Sequence, residues 1–205
     1  MQEAATADEL RVTNVVFKIV IHDLVSRLQQ SRVCRHLTFT EYTNFFVIRG
    51  LCHLTLIAFT RSGHVNITGV RRFDQLTDIL TLLSEVLDSP PDHRLAPDLA
   101  EIVSSTASGA VGREVNLAEL VCRYQDRAEV ERNELLLCLQ RGHFPSLLIR
   151  RADRGGCVQL FCSGKFNIVG CKNRSDINRL WMSVNALTGT WSSATSSSAA
   201  TAGSS

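Results

Sequence analysis

The residues with chemistry to offer in this 205-residue chain are cations at strand ends, phenylalanines beside tight turns, and scattered thiols and imidazoles. Arg49, Arg61, Arg71, Arg72, Arg150, Arg151, Arg154, Lys165, Lys172 and Arg174 gather at predicted strand ends and hairpins, while the acidic residues collect in the N-terminal tail and predicted helices. Cations so placed contact phosphates without reading sequence, or else are simply solvated. The formal net charge of +2 argues neither for nor against a polyanionic partner. The 6 histidines form no H-E-x-x-H pattern, and the 7 cysteines, an odd number with no C-x-x-C pair, suit reduced thiols in a nuclear or cytosolic protein. No nucleotide-binding glycine loop or G-x-S-x-G elbow occurs, so no enzyme, metal, cofactor or small-molecule substrate is expected. Signal peptides and apolar runs of about 18 residues are absent, which disfavours secretion and membrane spanning.

The stretch that must position these groups is Phe144 to Lys172, FPSLLIRRADRGGCVQLFCSGKFNIVGCK. An apolar strand ends at the basic pair Arg150–Arg151, a Gly-Gly turn follows, and Cys157 to Cys162 is β-rich. Ser163-Gly makes a second tight turn before a short strand from Phe166 to Val169. This pattern predicts a three-stranded antiparallel meander. Ser175 is then a candidate cap for a helix with Ile177, Leu180, Trp181, Val184 and Leu187 on one face. About a hundred residues earlier SGHVNITG answers SGKFNIVG, preceded by an apolar strand ending in Arg49 and followed by Leu76, Ile79, Leu80, Leu83 and Leu87 at helical spacing. The chain therefore reads as a tandem duplication of a β-α-β-β-β-α unit, of α+β class.

In order, residues 1–10 are a polar, flexible terminus and 11–88 the first repeat. Within it, His22-Asp23 caps a short helix through Leu28, and Val33 to Tyr42 connects that helix to the meander from Thr43 to Gly69. Residues 89–98, with Pro90-Pro91, form a linker, and 99–187 the second repeat, in which Asn116 caps a helix carrying Leu117, Leu120 and Val121. Residues 188–205, rich in Ser, Thr and Ala, are expected to be disordered.

The run FPSLLIRR…VQLFCSGKFNIVGCK resembles the second repeat of the TATA-box-binding protein family, with its F-P-G-L-I-Y-R, L-I-F-x-S-G-K and T-G-A-K pattern. Val12-Thr-Asn-Val-Val and SGHVNITG answer for the first repeat, so the likeness runs from about Val12 to Leu187. It implies a saddle: one curved antiparallel sheet with helices on the convex side and DNA under the concave face. In that family phenylalanines at the stirrup ends wedge into a base step, which implies the role for Phe144, followed by Pro145, and for Phe161. In the first repeat the aligned positions hold Thr43 and Thr60, with Phe45, Phe46 and Phe59 nearby. Either a bulge presents Phe59 or this half has lost its wedge.

The resemblance places Asn14, Val16 and Thr68 on the groove-reading face, with Asn66 and Asn167 at positions where the family has valine. Gln159 replaces leucine there, and Val169 stands opposite Thr68's role. Arg49, Arg150 and Lys165 fall where the family contacts phosphates, and His64 replaces a lysine. Aligning Glu101-Ile-Val103 with Asn14-Val-Val16 puts a carboxylate against the minor groove, beside Val103, and implies weak preference for TATA sequence. The stretch Gln140-Arg-Gly-His143 lacks the acidic residues with which the family docks its TFIIB-type factor. These expectations describe a nuclear, non-enzymatic initiation factor that binds and bends double-stranded promoter DNA and meets TFIIB-like and TFIIA-like factors or other initiation-complex subunits. Two rivals stay open. One is a TBP-like scaffold that has lost bending, favoured by Thr43, Thr60 and Glu101. The other is an accessory domain of a nucleic-acid enzyme, as related saddles are attached to some glycosylases and ribonucleases.

Overall fold

The computed structural model describes residues 10–31, 34–89, 94–125, 135–141, 145–152 and 155–194. The chain divides into two compact units, Val12–Ser105 and a second that contains Thr106 onward. Each is an antiparallel sheet with helices on one face, as alternating apolar strands and 3.6-period helices require.

In the first unit the elements are β1 (Arg11–Val20), α1 (Leu24–Gln30), β2 (Thr38–Glu41), β3 (Phe45–Leu51), β4 (Leu54–Phe59), β5 (His64–Val70) and α2 (Leu76–Val86). The strand order is β2-β3-β4-β5-β1. Alternation decides the faces: Val15, Phe17 and Ile19 of β1, Leu54, Leu56 and Ala58 of β4, and Val65 and Ile67 of β5 are buried. They pack with Leu24 and Leu28 of α1 and Ile79, Leu80 and Leu83 of α2 in one core. Asp23 occupies the N-cap of α1 at φ 57, but its side chain makes no capping bond. The segment expected only to connect helix and meander contains the strand β2, which pairs with β3 from Thr38↔Arg49 to Glu41↔Phe46.

The second unit repeats the plan with β6 (Glu101–Ala110), α3 (Leu117–Gln125), β7 (Leu135–Gln140), β8 (Ser146–Arg151), β9 (Cys157–Phe161), β10 (Lys165–Cys171) and α4 (Arg174–Ala194), in strand order β6-β10-β9-β8-β7. The first five residues of β6, Glu101–Ser105, belong with the first unit. The repeating unit is thus β-α-β-β-β-β-α, one strand longer than the sequence pattern suggests. β2 and β7 are edge strands, paired on one side only. Phe166 is buried on β10 and stacks on Trp181 of α4 at 4.9 Å. Asn116 caps α3 as expected, its Oδ1 accepting from Glu119 N at 3.2 Å. The cap of α4 is Asn173 rather than Ser175, because Asn173 Oδ1 accepts from Asp176 N at 2.8 Å. α4 runs on to Ala194, past Leu187, because Thr188 is buried and its hydroxyl donates to Val184 O.

Candidate nucleic-acid interface

The helices cover one face of each sheet; the opposite face is open. In the first unit register builds that face in cross-strand rows. Thr38, Arg49, Thr55 and Thr68 form one row, and Ile57, Asn66 and Lys18 lie across another. Asn66 and Thr68, expected on the groove-reading face, share the non-core side of β5, and Arg49 is exposed at the far end of β3. Asn14 and Val16 alternate with buried Val15 and Phe17, so they share the open side of β1. The carbamoyl oxygen of Asn14 accepts from Gly69 N at 3.0 Å, which fixes the orientation of the group and leaves its NH2 for another acceptor.

Phe59 is the last residue of β4, on the same side as Thr55 and Ile57 and opposite buried Ala58. Of the two alternatives for this half, a phenylalanine does end the strand on the open side, and no strand bulge puts it there. The turn is longer. Phe59 O accepts from Gly63 N, four residues on, whereas Phe161 O accepts from Gly164 N, three residues on. The extra turn residue accounts for Thr60 standing where an alignment on Ser-Gly expects phenylalanine. Phe45 pairs directly across from Phe59, with ring centroids 5.8 Å apart, and Tyr42 stacks on Phe45 at 4.7 Å. Sequence spacing named Phe45 only as a neighbour of Thr43 and gave Tyr42 no part. The available signal was the shared parity of Phe45 and Arg49 on one strand.

In the second unit the rows are Leu136, Arg150, Cys157 and Val169, then Cys138, Leu148, Gln159 and Asn167, then Gln140, Ser146 and Phe161. Lys165 and Asn167 are exposed on the open side of β10, as is Val169, 38% exposed. Phe161 ends β9 on that side, alternating with buried Leu160. Its cross-strand neighbour Ser146 is covered: the hydroxyl accepts from Gln159 Nε2 at 3.1 Å and donates to Gln140 Oε1 at 3.3 Å. Pro145 is exposed immediately before β8, and Phe144 lies outside the described residues, as do Gly142 and His143 of the stretch that lacks the family's acidic docking residues.

Glu101 and Val103 need a correction of register. The burial patterns of β1 and β6 coincide over their first eight residues, eieiBiBi in both, counting from Arg11 and Glu101. Glu101 is therefore level with Arg11, Val103 with Thr13, and Ser104 rather than Glu101 with Asn14. The slip arose because Glu-Ile-Val resembles Asn-Val-Val while strand patterning constrains register weakly. Glu101 instead receives Lys18, whose Nζ lies 2.7 Å from its carboxylate.

Compared with known proteins, residues 100–186 match the family model described as transcription factor TFIID (or TATA-binding protein, TBP). The solved structure of Methanococcus jannaschii TBP superposes with a TM-score of 0.65 at 23% identity, over 89% of this chain and 99% of that one. The fold is TBP-like. No curated protein sequence matches the chain. The TBP-like fold explains why the open-face rows, the paired hairpins and the two helices recur in each half. Among the described residues no cluster of three or more His, Cys, Asp or Glu side chains could hold a metal ion, and no helix is long and apolar enough to cross a membrane.

Proposed function

We propose that the protein is a DNA-binding transcription initiation factor of the TBP type, which binds promoter DNA through the minor groove, bends it and nucleates an initiation complex. The observation that carries this is the placement of Phe59 and Phe161. Each is the last residue of its strand, on the open face, directly before a hairpin. A ring so placed can enter a base step; unstacking costs a few kcal/mol in minor-groove binders, of which TBP is itself the type example, and is offset by the surface that bent DNA meets. Asn14 supplies amide donors to the N3 and O2 acceptors of A·T pairs. Arg49, Arg150 and Lys165, all exposed, supply salt-dependent phosphate contacts. Ser104, at the level of Asn14, has a hydroxyl that both donates and accepts, so TATA specificity is relaxed. The work belongs in a nucleus, with TFIIB-like and TFIIA-like factors as partners and no chemistry of its own.

The test is energy transfer between dyes at the ends of a promoter duplex, over a salt series. Wild type bends the duplex; Phe59→Ala and Phe161→Ala each reduce bending while leaving most of the salt-dependent affinity. A wild-type protein that binds without bending, or a double variant that bends equally well, refutes the proposal and leaves a scaffold.

A further inference from the structure

The two units differ in which polar atoms their open faces leave for a ligand. In the second unit a relay crosses three strands. Nε2 of Gln159 on β9 donates to the Ser146 hydroxyl on β8 at 3.1 Å, and that hydroxyl donates to Oε1 of Gln140 on β7 at 3.3 Å. Ser146 is fully buried, while Gln159 is half-buried on the open side of β9, two residues before Phe161. The relay holds the Gln159 amide with its NH2 toward Ser146. Its carbonyl oxygen accepts no hydrogen bond among the described residues and, not being buried, is open to a donor from outside. Asn14 of the first unit is held the other way round: its oxygen is occupied by Gly69 N and its NH2 is left over. The first-unit position two residues before Phe59 is Ile57, and Phe45 stands across from Phe59 where Ser146 stands across from Phe161, so this relay belongs to the second unit alone.

We propose that Gln159 is a specificity residue that reads guanine in the minor groove, so that the half-site met by the second unit contains a G·C pair. The inference rests on the proposed DNA-binding function and deepens it. In the minor groove every base pair offers the acceptors N3 and O2, and the guanine N2 amino group is the one donor. A carbonyl oxygen fixed by the relay complements that donor and meets N3 and O2 unfavourably. Asn167 lies directly across from Gln159 on β10 and is exposed, so its amide NH2 can serve an N3 or O2 acceptor of the same pair. An apolar side chain in place of Gln159 would instead desolvate the amino group without giving it a partner. The donor left over on Asn14 suits A·T pairs, so the two units read different halves of an asymmetric site.

The test uses the full chain and duplexes that it bends in the energy-transfer assay, with base analogues placed at each pair in turn. Diaminopurine in place of adenine adds the minor-groove amino group, and hypoxanthine in place of guanine removes it; neither changes the major-groove edge. At the pair that Gln159 meets, the amino group raises affinity by about three- to tenfold, as one neutral hydrogen bond does. Gln159→Leu abolishes that gain. Ser146→Ala, which lets the amide turn, removes most of it while binding persists. The readout is a ratio between two duplexes on one protein, so a variant that is merely less stable lowers both affinities together and leaves the ratio. If no pair gains from the amino group, if the gain survives Gln159→Leu, or if the Gln159-dependent pair prefers the group absent, the assignment is overturned while DNA binding stands. A chain that binds no duplex refutes the proposed function itself, and this inference with it.

Discussion

Gly164 closes the hairpin that presents Phe161 and Lys165, and replacing it with alanine separates two equivalent turns by their surroundings. Its φ is +77°, and an added Cβ would stand 1.9 Å from the carbonyl oxygen of Arg113 and 3.1 Å from Val111 Cγ2. Alanine in the left-handed region costs about 1–2 kcal/mol. The clash adds more, because the obstacle is backbone: moving Arg113 strains the bonds from Val111 N to Gly164 O at 2.9 Å and from Val115 N to Cys162 O at 2.8 Å. Each bond is worth about 0.5–1.5 kcal/mol. Reduced entropy of the unfolded chain returns about 0.4–1 kcal/mol. The net expectation for Gly164→Ala is a loss of about 2–4 kcal/mol. Gly63, at φ +66° in the matching hairpin, would meet only His22 Nδ1, at 2.8 Å. That imidazole is exposed and can turn aside, so Gly63→Ala costs roughly 1 kcal/mol. Urea midpoints at a common m-value measure both. Equal losses would refute the reasoning, and so would recovery by Gly164→Asn, since asparagine tolerates the left-handed backbone but keeps the offending Cβ.

Asn14→Asp retains the oxygen that accepts from Gly69 N and removes the NH2 donors, so stability holds while discrimination for A·T over G·C falls by about 1–3 kcal/mol in competition titrations; Asn14→Ala loses about 1 kcal/mol of stability as well. Glu101→Gln releases Lys18 from a pair whose side chains are 36% and 57% exposed, so urea stability changes by less than about 1 kcal/mol, and DNA affinity gains the salt dependence of about one phosphate contact. The Cys171 thiol is pushed up to about 12, chiefly by burial and then by Asp176. Because the folded pKa is raised, stability from this group is complete below the ordinary thiol range and is lost as pH rises from there toward 12. Cys171→Ala should flatten that alkaline limb in melting curves, and in the wild type exposed Cys52, Cys122, Cys138 and Cys162 should react with a thiol reagent at pH 8 long before Cys171.

The duplication, the α+β class and the open-face parity of Asn66, Thr68, Asn167 and Lys165 were legible in the sequence, because strand alternation and helical spacing are local properties. So was the cap by Asn116, which acts three residues away. The edge strands β2 and β7 were not legible as strands of the sheet: β2 is only 4 residues long, and the apolar run Leu135–Leu139 hides the alternation that burial shows along β7. Asn173 displaced Ser175 as the cap of α4 by a choice between neighbouring side chains that geometry alone decides. The correspondence of Glu101 with Arg11 shows only in the burial alternation along the whole of β1 and β6, which a three-residue motif is too short to fix. Phe59 shows the division most directly. Its type and neighbourhood were plain, but the turn after it holds one residue more than the turn after Phe161, so an alignment on Ser62-Gly63 put Thr60 in its place. Parity along a strand is fixed by covalent geometry; parity across a turn is fixed by how the turn closes, and that belongs to the tertiary structure.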